Sequence, residues 1–338
     1  MSDLSLKISP GIYPLVRMRR NRRHDWIRDL VAETSLAAKD FIWSIFVREN
    51  SLSPEISSMP AIYRYSVDEL TDVVGIAGDL GLRAIALFPV IESEKRTHDA
   101  RELFNSGGVL YKAIQVLKKN FPHIGIITDP ALDSFTDHGH DGLYINNDVP
   151  NDESVQVICQ HALLQAQAGA DMVAPSDMMD GRIGEIRKLL DQKGYHDVGI
   201  MSYAAKYASN FYAPFREALG SDHCLKKGHK RTYQMDPANV REALREVALD
   251  LSEGADCVMI KPGLPYLDVI RQVKDRFLVP TFAFHVSGEY AMLKVAVEAG
   301  MLSYEKTLTE MMTCFKRAGA DGVITYSAVD MLKLLKQG

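Results

Sequence analysis

Three segments of this chain share one core: AGADMVAPS (168–176), EGADCVMIK (253–261) and AGADGVITY (318–326). Each begins where a helical pattern ends, so Gly169, Gly254 and Gly319 occupy the position of a C-cap glycine. Each continues into a short apolar run, as a strand buried on both faces does. Seven residues past the glycine the three copies deliver Ser176, Lys261 and Tyr326. A looser copy, DLGLRAIALF (79–88), delivers Phe88 in the same register.

Working outward, the same alternation of strand and helix fills the chain beyond residue 40. Eight β-rich runs occur: 41–47, 84–90, 124–130, 172–176, 198–204, 257–262, 281–286 and 322–327. Helical patterns separate them. In NVREALREVALDLSE (239–253), Val240, Leu244, Val247, Ala248 and Leu251 are expected on one apolar face. Eight βα units in series predict an α/β fold, a (β/α)8 TIM barrel whose active site is built at the C-terminal strand ends. The repeated register therefore places Ser176, Lys261 and Tyr326 at one mouth.

Composition narrows the class. The chain has 338 residues, 46% of them hydrophobic and 25% charged, which suits a self-sufficient globular core. Cys159, Cys224, Cys257 and Cys314 form no C-x-x-C pair, against a disulfide framework or a cysteine-rich zinc site. A net charge of −5 argues against a general nucleic-acid binder. No apolar stretch has the length of a membrane span, and MSDLSLKISPG lacks a signal core, so a cytoplasmic protein is expected. The exception to the acidic balance is Arg17, Arg19, Arg20, Arg22 and Arg23, an N-terminal segment that from charge alone is a solvated arm or a contact for an acidic neighbouring subunit, with a nucleic-acid patch or transit peptide as the lesser alternative.

Two lysines stand in apolar surroundings. Lys261 ends CVMIK, and Lys206 follows VGIMSYAA. Lysine is almost never buried unpaired. Two ammonium groups in one barrel mouth depress each other's pKa, as does desolvation, and a neutral amine attacks ketones to form a Schiff base. The loop DPALDSFTDHGHDG (129–142) carries Asp129, Asp133, Asp137 and Asp141 with His138 and His140. It reads equally as a solvated turn or as a site for a hard cation such as Mg²⁺, with zinc disfavoured by the lack of cysteine. The segment 205–238 is too long for a simple connection and is expected to be a lid. Its basic residues, Arg216 and Lys230 among them, suit a carboxylate substrate.

These stretches resemble the porphobilinogen synthase (5-aminolevulinate dehydratase) family over nearly the whole chain. The resemblance is carried by RMRRNRR, FVREN, SSMPAIYRYS, TDPALDSFTDHGHDG, APSDMMDGRIGEIR, MSYAAKYASNFYAPFREA, RTYQMDPAN, REVALDLSEGADCVMIKPGLPYLD and HVSGEYAM, in order. It implies a lyase that condenses two 5-aminolevulinate molecules to porphobilinogen, with loss of two waters, in tetrapyrrole biosynthesis. By resemblance, Lys261 and Lys206 are the two Schiff-base residues, and Asp129 and Ser176 lie beside the first substrate. Arg216, Lys230 and Gln234 hold one substrate carboxylate; Ser287 and Tyr326 hold the other. Ala131, Asp133 and Asp141 stand where zinc-dependent members have three cysteines, which implies the aspartate-rich, magnesium-responsive branch. Asp133 and Asp141 are then possible active-site metal ligands, and Glu246 the carrier of an allosteric Mg²⁺. Phe284 replaces an expected tyrosine, Ala213 a glycine and Ser134 a proline. The resemblance also implies that residues 1–28 are an arm for self-association, giving a homo-octamer, and that 29–338 form the catalytic barrel. Two rivals stand beside this reading: a one-lysine class I aldolase, and a barrel whose arm binds RNA or another protein.

Overall fold

The structure, a computed structural model, describes residues 11–219 and 229–337. They fall into two compact units divided between Ser35 and Leu36. The first unit holds a 3₁₀ turn, Met18–Arg22, and a short helix, α1 (Asp25–Leu30). Its arginines bond its own backbone: Arg17 Nε donates to the Pro14 carbonyl at 3.2 Å, and Arg20 to that of Leu15 at 3.0 Å. Ile12, Leu15, Trp26 and Leu30 are exposed.

The second unit is the expected barrel. Its strands are β1 (Phe41–Arg48), β2 (Arg64–Tyr65), β3 (Ala84–Val90), β4 (Gly125–Thr128), β5 (Met172–Val173), β6 (Gly199–Lys206), β7 (Cys257–Lys261), β8 (Thr281–His285) and β9 (Gly322–Thr325). All pairings are parallel, and β9 returns to β1 through Phe41↔Val323 and Ile42↔Ile324, which closes the sheet. The eight expected strands are present. The additional β2 pairs only with the end of β1; two residues carry no readable periodicity. Around the barrel run α2 (Val67–Asp79), α3 (Val109–Asn120), α4 (Asn151–Ala168), α5 (Arg182–Gln192), α6 (Ala213–Leu219), α7 (Arg241–Glu253), α8 (Leu267–Phe277), α9 (Ser287–Glu298), α10 (Tyr304–Ala318) and α11 (Ala328–Gln337).

The repeated glycines do what their positions require. Gly169, Gly254 and Gly319 cap α4, α7 and α10 at φ of +109°, +108° and +110°, a region costly for any residue with a Cβ. The aspartate two residues later also has a job. Asp171, Asp256 and Asp321 accept the backbone N–H of Ile126, Ile200 and Thr281 respectively, pinning each helix-to-strand turn to a neighbouring strand.

Strand side chains alternate between two cores. One fills the barrel: Ile42, Phe46, Ala86, Phe88, Ile127, Ala174, Met201, Tyr203, Met259, Phe284, Ile324 and Tyr326. The other lies between sheet and helices, with Ile45, Leu87, Val173, Ile200, Val258, Ile260, Ala283 and Val323 among its members. On α7 the fully buried residues are Ala243, Val247 and Asp250. Ala248, expected on the apolar face, is exposed. The helix is rotated so that Asp250 reaches the buried Arg182, an ion pair that apolar periodicity does not register.

Candidate active site

The mouth is assembled from strand ends. On β6, Met201 and Tyr203 face the barrel interior, while Ala204 and Ala205 both belong to the outer core. The register shows why: Ser202 pairs with Val258, but Ala205 pairs with Ile260, so β6 holds one extra residue. Strand side chains have period two, and a one-residue insertion reverses the facing of everything after it. Lys206 thereby comes level with Lys261 and turns inward. An unbroken ladder would pair Lys206 with Pro262 and send its side chain toward the helices.

The two lysines have unlike surroundings. Lys206 Nζ donates to the Ser176 carbonyl, to Ser176 Oγ at 3.1 Å and to Asp141 Oδ1 at 3.4 Å. Lys261 Nζ is ringed by aromatic faces, with Phe284 at 4.5 Å, Phe215 at 5.1 Å, Tyr203 at 5.2 Å and Tyr212 at 5.4 Å. Burial, seconded by the Lys206 cation, pushes the Lys261 ammonium down to about 7, against the pull of Asp129, Asp133 and Asp141. At neutral pH a large share of Lys261 is an uncharged amine.

Asp129 follows β4. Its Oδ1 accepts the backbone N–H groups of Ala131 (2.9 Å) and Ser176 (3.2 Å), and Gln165 of α4 grips its carbonyl at 2.9 Å. Asp141 is the hub of the opposite wall. Besides Lys206 it receives Lys230 Nζ at 3.1 Å and Gln234 Nε2 at 3.3 Å. Burial opposes its charge, but Lys206 and Lys230 hold its carboxyl at about 2. Asp133 lies 3.7 Å from Lys230, and burial raises its pKa. The structure thus brings Lys206, Ser176, Asp141, Lys230, Gln234 and Asp133 together around one carboxylate cluster.

The expected lid is tied at its base. Tyr207 and Met235 form a parallel bridge, with Met235 N donating to Lys206 O at 3.0 Å and Ala208 N to Met235 O at 2.8 Å. From one side of this excursion comes α6, which carries Phe215 against Lys261 and the half-buried Arg216. From the other come Lys230 and Gln234. The central part of 205–238, residues 220–228, lies outside the described residues. Ser287 sits at the first turn of α9, where its Oγ accepts the Phe215 N–H at 3.0 Å and donates to the Phe211 carbonyl at 3.3 Å. Tyr326 points into the barrel, stacked on Phe46 at 5.7 Å. Glu246 lies apart, on α7, lining a cavity of about 380 Å³ with Asp180, Asp236 and Glu242. Burial, then Asp250, Asp180 and Glu242, raise its pKa.

Several site residues were not singled out from the sequence. Tyr203, Tyr212 and Phe215 form the Lys261 cage and all lie in the quoted MSYAAKYASNFYAPFREA, but their convergence depends on the bulge and on α6. Asp177 and Arg182 form a buried pair 3.7 Å apart directly behind Ser176, with Asp250 as the second partner of Arg182. The charged residues within the otherwise apolar APSDMMDGR were the available signal.

Two buried amines at the C-terminal mouth of a (β/α)8 barrel, one among ring faces and one held by a carboxylate, define a barrel enzyme with its site at the strand ends. The comparisons give the particular family. Its profile, delta-aminolevulinic acid dehydratase, matches residues 15–334. The dehydratase of Bradyrhizobium diazoefficiens is 51% identical over 95% of this chain and 91% of its own. That of Chlamydia pneumoniae is 48% identical over 100% and 99%. The crystal structure of the Toxoplasma gondii enzyme, in complex with the reaction product porphobilinogen, superposes with a TM-score of 0.92 at 46% identity, covering 94% of this chain and 91% of that one. This chain belongs to the delta-aminolevulinic acid dehydratase family. It is a lyase, and its reaction is the synthesis of porphobilinogen from 5-aminolevulinate in tetrapyrrole biosynthesis.

Proposed function

We propose that Lys261 and Lys206 carry this reaction as Schiff-base residues. The observation that supports it best is the pairing of the two amines on adjacent strands, with Lys261 caged by rings. The neutral amine of Lys261 attacks the ketone of the first 5-aminolevulinate. The carbinolamine loses water, and the resulting iminium withdraws electrons from the adjacent carbon, so that carbon releases a proton and becomes nucleophilic. Lys206 activates the ketone of the second molecule in the same way. Joining the two and closing the ring returns both lysines and releases two waters overall. Asp129 lies next to Ser176 and is the candidate for moving the proton or holding the substrate amine.

Lys230 and Gln234 already bind a carboxylate, that of Asp141, which supports their taking a substrate carboxylate with Arg216. Ser287 and Tyr326 are proposed for the other carboxylate; the hydroxyl of Ser287 lies next to the Phe215 edge of the cage.

At Asp133 and Asp141 the oxygens are hard enough for Mg²⁺, but Lys230 lies 3.7 Å and 3.1 Å from the two carboxylates and Lys206 lies 3.4 Å from Asp141, so cations already balance them. A divalent ion does not fit that arrangement. The Glu246 cavity does fit. Its lining carboxylates, Asp180, Asp236, Glu242 and Glu246, exceed its cationic side chains, of which it has Arg231. An ion held there would neutralise acidic side chains around α7; its role is regulatory, away from the reacting atoms. The exposed apolar residues among 11–31 support self-association through the 1–28 arm, with an octamer as the proposed assembly. A cytoplasmic location is proposed as well; among the described residues no helix is long and apolar enough to cross a membrane.

The test is porphobilinogen formation from 5-aminolevulinate by the purified chain, first with EDTA and then with Mg²⁺ restored, followed by borohydride trapping of substrate. Product together with a trapped adduct on Lys261 is the expected result. Product without any trapped adduct removes the Schiff-base assignment.

A further inference from the structure

The loop over the mouth makes a second constellation that the lysine chemistry does not use. His98, Asp137 and His138 meet at its outer edge, with one donor atom from each within 4.8 Å of the other two. They come from different connections: His98 follows β3, and Asp137 and His138 follow β4. Backbone pairing holds these together through a parallel bridge, Thr97↔Thr136. Thr97 N donates to the Phe135 carbonyl at 3.1 Å, and Asp137 N to that of Thr97 at 3.3 Å. The neighbourhood of His98 and Asp137 is therefore built into the fold and does not depend on side-chain rotamers alone.

The hydrogen bonds indicate where lone pairs point. His98 Nε2 meets the Tyr144 carbonyl, so it carries the ring proton. Its Nδ1 then presents a lone pair 3.5 Å from Asp137 Oδ1. Two acceptors face each other, an arrangement that attracts a cation. A proton on His98 would satisfy that pair by itself, but it gives no purpose to the third donor. The His138 ring lies 5.1 Å from that of His98. Its nitrogens make only long bonds, Nε2 to the His98 carbonyl at 3.3 Å and Nδ1 from the His140 N–H at 3.2 Å. Binding an ion exchanges one of these. Two imidazoles and one carboxylate suit Zn²⁺, Co²⁺ or Ni²⁺ and do not suit Mg²⁺. His98 and Asp137 are 62% and 51% exposed, which leaves a path for the ion and open positions for water.

We propose that His98, Asp137 and His138 bind a divalent transition-metal ion at the rim of the mouth, separate from Asp133 and Asp141 and from Glu246. The ion clips the β3 connection onto the β4 connection a few residues before His140 and Asp141. Those two residues contact Tyr233, Lys206 and Lys230. Occupancy thus stiffens the segment that carries the carboxylate hub without touching a reacting atom.

The test is equilibrium dialysis of the full chain against Zn²⁺, with a parallel Co²⁺ titration read by its visible absorption. The wild type is expected to bind an ion that His98→Ala and His138→Ala each weaken by about tenfold or more, while Asp133→Asn keeps it. His98→Asn, with an unchanged thermal melt, guards against a folding artefact. Equal zinc binding and equal Co²⁺ spectra in wild type and His98→Ala overturn the proposal, as does a wild type that binds no zinc. Product formation in EDTA is read separately, so failure of this site and failure of the Schiff-base reading appear in different measurements.

Discussion

Lys206 and Lys261 are cross-strand partners on β6 and β7, brought level by a single extra residue in β6. Their side chains share a mouth, yet one rests on oxygen atoms and the other on ring faces. That asymmetry supports the proposed role of Lys261, whose ammonium burial pushes down to about 7.

Lys261→Ala is expected to lower turnover by about a thousandfold or more, because removal of a covalent nucleophile leaves only binding and polar stabilisation. Mass spectrometry after borohydride reduction should show no adduct at the first substrate position. Near-normal turnover would remove Lys261 from the mechanism.

The Lys261 shift also sets a pH profile. With a pKa of about 7, the neutral share is roughly a tenth at pH 6 and nine tenths at pH 8. Activity at low substrate should rise about tenfold across that interval. The same shift burdens folding. The unfolded chain holds this proton below 10.5, the folded chain only below about 7, so stability declines as pH falls between those values and is level below them. Lys261→Met should therefore raise the melting temperature at pH 7 while abolishing activity, a gain of about 0.5 to 2 kcal/mol.

Phe284 is the ring closest to Lys261 Nζ among the four that surround it. Phe284→Tyr adds a hydroxyl that can accept from the ammonium and favour its charged form. The activity midpoint should move to higher pH, measured as kcat/KM from pH 6 to 9. Since Phe284 is fully buried, the added atom should also lower stability by about 1 to 3 kcal/mol. A midpoint that stays put or moves down would show that burial alone sets the amine.

Glu246→Gln removes one carboxylate charge from the cavity beside α7. The Mg²⁺ concentration for half-maximal stimulation should rise by about tenfold or more, read by titration of the ion against rate. An unchanged response would place the Mg²⁺ effect elsewhere.

The barrel was legible because parallel strands buried on both faces are written as apolar runs, and because Gly169, Gly254 and Gly319 mark the same turn three times. Lys261 was legible for the same reason: a charge in such a run is conspicuous. Lys206 was expected in the same mouth, but the extra residue that turns it inward was not legible, since Ala204 and Ala205 both face outward and two alanines carry no direction. Nor was the occupation of Asp133 and Asp141 by Lys230. Aspartates spaced by four look alike whether the cation they meet is a metal or an ammonium group nearly a hundred residues away.

The bridge between Tyr207 and Met235 joins the two ends of the excursion over the mouth at a base only two residues wide. Lys206 and Lys261 stand on the strand ladder, whereas Phe215, Lys230 and Gln234 reach the mouth from the excursion. A substitution among those three thus changes the lining of the mouth while the strand pairing of the two lysines stays as it is.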